Sequence, residues 1–123
     1  MTEQNPRITR YFPYKEVRPF QDEFITTIFE AVEKGNSAII EGSNGLGKTI
    51  AALSACLPTA LEKGLKILYV ARTHRQHDRV IEELKGVSEK QRISGISVRG
   101  RHEMCLNRFV MANAHGSREV MEI

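Results

Sequence analysis

The sequence predicts an α/β fold, a parallel sheet flanked by helices, and three observations predict it. Apolar residues recur at helical spacing in three stretches, and short continuous apolar runs follow each of them. Each helical stretch also closes on the same pair: Lys34-Gly35, Lys63-Gly64 and Lys85-Gly86. Lysine suits the negative end of the helix dipole, and glycine accepts the left-handed cap position. The order helix, strand, helix, strand, helix, strand implies parallel pairing through right-handed crossovers. Such crossovers gather the loops after the strands at one edge of the sheet, where ligands bind in these folds.

Taken in order, residues 1–17 read as an irregular lead-in, broken by Pro6 and Pro13, with Tyr11, Phe12 and Tyr14 clustered without a period. Pro19 suits the first turn of a helix that buries Phe20, Phe24, Ile25, Ile28, Phe29 and Val32, with Glu30 and Lys34 paired on its exposed face. Ser37 to Glu41 is the first expected buried strand. Lys48 to Lys63 is the second helix, patterned by Ile50, Leu53, Leu57 and Leu61; Pro58 is expected to kink it or end its regular part early. Lys66 to Ala71 is the second strand, rich in β-formers. Gln76 to Lys85 is the third helix, with Val80, Ile81 and Leu84 inward and Gly86 as its stop, and Ile93 to Val98 is a third strand.

The 123 residues suit one small domain or part of a larger one. With 41% apolar and 27% charged residues the composition is that of a globular chain, which excludes disorder and low complexity. The formal net charge of +3 permits contact with nucleic acid without requiring it. Cys56 and Cys105 make no disulfide framework, so a reducing compartment is expected. No stretch has the apolar length of a signal peptide core or a membrane helix. The expected location is the cytoplasm, or the nucleus in a eukaryote, with no membrane partner.

Between the first strand and the second helix lies Gly42-Ser43-Asn44-Gly45-Leu46-Gly47-Lys48-Thr49, a complete P-loop pattern. A polyphosphate must lie against several backbone N–H groups at once, which demands a loop with few side chains and unusual backbone angles. The helix that follows turns its positive end toward the anion. Lys48 is expected to reach the β- and γ-phosphates and the Thr49 hydroxyl to coordinate Mg2+, so ATP with magnesium is the expected ligand. A chance glycine-rich turn is the bland alternative, and the strand before and helix after the pattern count against it. The loop alone does not define a reaction, since kinases, GTPases, ATPases and helicases share it.

Three further segments stand in order around it: Arg18-Pro19-Phe20-Gln21, then Arg72-Thr73-His74-Arg75-Gln76, then Gly100-Arg101-His102-Glu103-Met104-Cys105. With the P-loop, this ordered set resembles the N-terminal part of the first motor domain of the XPD/DinG-type iron–sulfur DNA helicases of superfamily 2, from about Arg18 to Phe109. The resemblance implies a partial RecA-like domain over residues 18–104, cut before the Walker-B strand, and the start of an incomplete iron–sulfur domain over residues 105–123. It implies a helicase of the DNA-repair type, moving 5′ to 3′ on single-stranded DNA by ATP hydrolysis and needing a second motor domain. It implies that Gln21 bonds the adenine edge, that Arg72 and Thr73 contact the DNA backbone, and that Cys105 is one ligand of a 4Fe-4S cluster. For Gln21 the plain reading is a surface amide, for Arg72 and Thr73 a polar loop, and for Cys105 a free thiol. Four thiolates are needed for a cluster, and the other three are missing; Cys56 reads as a small buried hydrophobe. The pairs His74-x2-His77 and His102-x2-Cys105 have zinc-like spacing without the second pair that a zinc site needs.

A helicase also needs a Walker-B carboxylate. Neither Asp22 nor Asp78 ends an apolar run, and the sequence has no DEAH stretch. The expectation is that these residues belong to a longer protein and are inactive alone. Two rivals use the same loop: a small nucleotide or metabolite kinase, and a nucleotide-binding module that does not hydrolyse.

Overall fold

The computed structural model describes residues 5–106, with only the backbone at Arg101 and His102. Five helices follow one another: α1 (Pro6–Thr9), α2 (Gln21–Lys34), α3 (Lys48–Glu62), α4 (His74–Ser88) and α5 (Arg101–Met104). The most apolar, α3, lies at the centre. It packs most extensively on α2 and also against α1 and α4. Its small residues Ala51 and Ala55 are fully buried, which lets the neighbouring helices approach closely. Ile25 and Phe29 of α2, Val80 and Val87 of α4, and Ile8, Tyr11 and Phe12 complete the core.

The parallel sheet is not there. Among the described residues no strand forms, and the three runs expected to be buried strands are irregular. Ile39, Leu68, Val70 and Ile96 are exposed by 105%, 88%, 81% and 76%. No backbone hydrogen bond joins one run to another. The reason is physical: a helix closes its hydrogen bonds on itself, whereas a strand exists only beside a partner. An apolar run shows a tendency to be covered and says nothing about what covers it. The expectation of an α/β, RecA-like sheet is therefore corrected to a helical assembly with extended apolar connections.

The helix ends were partly legible. After α2, Gly35 N–H reaches Val32 and Asn36 N–H reaches Ala31; after α3, Gly64 N–H reaches Leu61 and Leu65 N–H reaches Ala60. These are the paired bonds of a Schellman ending. The third Lys-Gly pair is no stop: α4 runs through Gly86 to Ser88. A Cβ at Gly86 would stand 3.6 Å from the Pro13 side chain, so this glycine sits where the lead-in packs. Pro58 does not end α3 either, which continues to Glu62 with Pro58 buried inside it.

The lead-in is part of the structure. Asn5 caps α1 by accepting from Arg7 N–H. Arg7 donates to both Glu33 and Glu62 and lies over the Phe29 ring at 5.1 Å, tying α1 to α2 and α3. Thr59 donates to Glu33 as well. Arg7 and Thr59 together hold the Glu33 carboxyl below its usual range. On the other side Tyr14 donates to the buried Glu83 at 2.7 Å, and Lys90 donates to the Pro13 carbonyl at 2.8 Å. Glu83 also pairs with Arg79 at 2.6 Å, which lets its carboxylate stay buried. The bond to Glu83, with burial, raises the Tyr14 hydroxyl above its usual value.

Candidate nucleotide-binding site

The Gly42–Thr49 loop joins the extended run after α2 to the first turn of α3. Two of its residues need left-handed backbone: Gly45 at φ 85° and Gly47 at φ 79°. Gly47 is the N-cap of α3, and no side chain caps that end. The first N–H groups of α3 are thus left without a side-chain acceptor, which suits an anion. Lys48 donates from Nζ to the carbonyls of Gly42 and Ser43 at 2.9 and 3.0 Å, so its ammonium lies across the loop. Leu46 is buried and anchors the middle of the loop, while Ser43, Asn44 and Gly45 are exposed and Thr49 is half-buried.

Close packing also fixes the loop. A Cβ at Gly42 would stand 2.8 Å from Leu46, 3.0 Å from Lys48 and 3.1 Å from Phe24. A Cβ at Gly47 would stand 2.6 Å from Nε2 of Gln21. These contacts and angles hold the loop backbone in place and leave no room for side chains at Gly42 and Gly47.

Gln21 takes a position that sequence reasoning missed. It is 2% exposed, its Oε1 accepts from Arg18 N–H at 3.0 Å, and its Nε2 donates to the Gly47 carbonyl at 3.3 Å. Arg18 donates from its guanidinium to the Gly45 carbonyl. Two residues of one short turn thus brace the loop from the α2 side. Spacing could not show this, because the contacts link parts of the chain that only folding brings together.

Arg72 and Thr73 lie at the start of α4, both exposed. Thr73 is the N-cap: its hydroxyl oxygen accepts from Gln76 N–H, and Gln76 Oε1 accepts from the N–H groups of Arg72 and Thr73. This is a capping box, and Thr73 three residues before Gln76 is the sequence signal for it. It also explains why α4 begins at His74, ahead of the expected Gln76. His77 Nε2 lies 3.2 Å from the Ala71 carbonyl, and His74 lies 3.3 Å from Glu103. Arg99 contacts both Asp78 and Glu103, holding the segment before Cys105 against α4.

Asp22 lies in the first turn of α2 and Asp78 within α4. Cys105 is half-buried just after α5, and Cys56 is half-buried within α3, where burial pushes its thiol up. Among the described residues no three His, Cys, Asp or Glu side chains gather to hold a metal. Two cysteines do not supply the four thiolates of a 4Fe-4S cluster, so the residues present do not fit that group. Residues 107–123, with Phe109, His115 and most of the expected iron–sulfur segment, lie outside the described residues. Among the described residues no helix is long and apolar enough to cross a membrane.

Comparison with known proteins bears on the same segments. The DEAD_2 family model matches residues 69–122, a stretch that leaves out the phosphate loop and so adds to it independently. The helicase subunit XPD of the general transcription and DNA repair factor IIH from Arabidopsis thaliana is 28% identical over 116 residues, covering 85% of this chain and 15% of that protein. The corresponding XPD/RAD3 subunit from Saccharomyces cerevisiae is 24% identical over 116 residues, 86% of this chain and 15% of its own. A probable ATP-dependent helicase from Methanocaldococcus jannaschii is 29% identical over 87 residues, 71% of this chain and 13% of its own. No solved structure matches. The chain spans about one-seventh of the length of these relatives. The resemblance carried by the motifs therefore stands: this chain is similar over most of its length to a segment of the XPD-type helicases.

Proposed function

We propose that this chain provides the triphosphate-binding element of an XPD-like, ATP-dependent DNA helicase. The observation that carries the reading is the open N-terminus of α3, uncapped by any side chain, behind a loop with two left-handed glycines and followed at once by Lys48 and Thr49. Similarity to helicases and a match to DEAD_2 support it.

In this reading the backbone N–H groups from Gly45 to Thr49 hold the phosphate oxygens of ATP. Lys48 exchanges its bonds to the Gly42 and Ser43 carbonyls for the β- and γ-phosphates, where its charge offsets that of the leaving and transferred groups. The Thr49 hydroxyl is the magnesium ligand, and the ion would screen the phosphates when bound. Gln21 and Arg18 keep the loop in shape. Arg72 and Thr73 meet the backbone of single-stranded DNA: the exposed guanidinium reaches phosphates, and the Thr73 hydroxyl proton remains free to donate while its oxygen caps α4. Coupled hydrolysis, 5′ to 3′ movement and a second motor domain belong to this proposal, as activities of a whole helicase.

The test is the ATPase rate of the longest native protein carrying this segment, with and without single-stranded DNA. Stimulation by DNA that disappears with Lys48→Ala supports the reading. Turnover indifferent to DNA points to a different P-loop enzyme, and turnover indifferent to Lys48 removes the loop assignment.

A further inference from the structure

Between α1 and α2 the chain runs from Arg10 to Phe20 without a helix, yet it is fastened at both ends. Its first half grips the far part of α4. Phe12 is buried in the core, and its ring meets that of Tyr14 edge-on with 5.8 Å between centroids. The Tyr14 hydroxyl donates to Oε2 of Glu83 at 2.7 Å, and Lys90, just beyond α4, donates to the Pro13 carbonyl at 2.8 Å. Between these two bonds lies Gly86, where a Cβ would stand 3.6 Å from Pro13. Residues 83, 86 and 90 are spaced three and four apart, so they mark one stripe along α4 and its end.

The second half holds the 42–49 loop, through Arg18 on the Gly45 carbonyl and Gln21 on the Gly47 carbonyl. Only three residues separate Tyr14 from Arg18, a reach of at most about 14 Å, and Val17 among them packs against the core. Little slack is left between the two attachments. The Tyr14 end is also all-or-none in character. Glu83 is 4% exposed, with Arg79 on Oε1 and Tyr14 on Oε2. A buried carboxylate oxygen that loses its donor carries an uncompensated desolvation cost, so the seat is either filled or vacated at a penalty. Nothing in the nucleotide reading uses Tyr14 or Glu83, and neither belongs to the N-terminal end of α4.

Resting on the nucleotide reading above, we propose that residues 12–18 are a strap that makes the shape of the 42–49 loop, and so its affinity for a triphosphate, depend on the seating of Tyr14 on α4. Tyr14 is a positioning residue: it acts on the loop through Arg18 and Gln21. Coupling of this kind is reciprocal, so a triphosphate in the loop also steadies the middle of α4.

The test is calorimetric titration of the full chain with Mg·ATP and Mg·tripolyphosphate, with amide hydrogen exchange on the same samples. The variants are Tyr14→Phe, Lys90→Ala, Leu84→Ala and Lys48→Ala. Tyr14→Phe keeps the ring and removes the bond to Glu83. It weakens Mg·ATP by about fivefold and speeds exchange at the Leu46 and Ala51 amides, which bond the Ser43 and Gly47 carbonyls. Mg·tripolyphosphate slows exchange over residues 83–87 in wild type and not in Tyr14→Phe. Lys90→Ala, an exposed change, acts in the same direction and keeps the test valid if Tyr14→Phe folds poorly. Leu84→Ala takes packing from the same helix without removing either strap hydrogen bond, and leaves Mg·ATP affinity unchanged. Two results overturn the strap: affinity and loop exchange unchanged in both Tyr14→Phe and Lys90→Ala, or Leu84→Ala weakening Mg·ATP as much as Tyr14→Phe. If wild type binds tripolyphosphate and Lys48→Ala does not, the loop assignment survives either failure. If wild type binds neither ligand, the nucleotide reading falls and its regulation falls with it.

Discussion

Two helix N-termini in this molecule are built in opposite ways. The α3 end is open: its N-cap is Gly47, no side chain accepts from its first N–H groups, and the glycine's left-handed backbone clears the approach. The α4 end is closed: Thr73 and Gln76 satisfy each other's backbone N–H groups in a capping box. A closed end stabilises its own helix and has spent donors that an anion would use. An open end leaves those donors available, at some expense in helix stability. In the proposed reading α3 holds a polyphosphate by its backbone, while at α4 the capping box already uses the N–H groups of Arg72, Thr73 and Gln76 and the exposed side chains Arg72 and Arg75 stand beside it.

The largest expected effect lies at the open end. Lys48→Ala in the longest native protein lowers ATP turnover by at least about 100-fold, the scale of losing one preorganised charge-stabilising donor. Steady-state hydrolysis with saturating DNA checks it. Next comes Gly47→Ala, which puts a Cβ 2.6 Å from Gln21 Nε2 on a backbone with φ 79°. Left-handed geometry alone costs about 1–2 kcal/mol, and the displaced Gln21 weakens the loop further. Chemical denaturation measures the loss. Because the two residues touch, Gln21→Ala and Gly47→Ala together should cost less than the sum of the single changes. Additive losses would mean that Gln21 does not brace the loop.

At the closed end the effect is smaller and of another kind. Thr73→Ala removes the cap and destabilises α4 by about 1 kcal/mol, with no change in triphosphate affinity. If it weakens ATP binding, the two ends are not independent. The smallest effect is away from both. Glu33 is held below its ordinary value of 4.5, chiefly by Arg7 and then by Thr59. A depressed carboxyl contributes stability above its unfolded pKa and loses it as pH falls through the lower folded value. Glu33→Gln should therefore make the melting temperature less dependent on pH below about 4.5, and an unchanged acid limb would show that the Arg7 clamp is weak.

The loop proposed for phosphates could be read as a pattern from eight consecutive residues because that pattern is local: glycines, a lysine and a hydroxyl, which the structure sets at the start of α3. Two of the three Lys-Gly endings were legible for the same reason, since a Schellman cap involves only neighbouring residues. Gly86 was misread because its glycine serves contact with Pro13, which is distant in sequence. The strands were misread because pairing is not written in a single run. Leu68 and Val70 look like strand residues and yet lie exposed without a partner. Gln21, expected from the resemblance to bond the adenine edge and otherwise to be a surface amide, is buried and bonds the Arg18 N–H and the Gly47 carbonyl.

Sequence alone determined the three long helices, two of their glycine caps and the glycine-rich pattern of the 42–49 loop, because helices and tight loops are stabilised by bonds between near neighbours; the short helices α1 and α5 were not read from it. Tertiary structure decided the rest: that the lead-in joins the core through Arg7 and Tyr14, that Arg18 and Gln21 hold the loop, and that the apolar runs stay unpaired. Those outcomes depend on which distant groups meet, and hydrogen bonds and buried surface between distant groups exist only once the chain has folded.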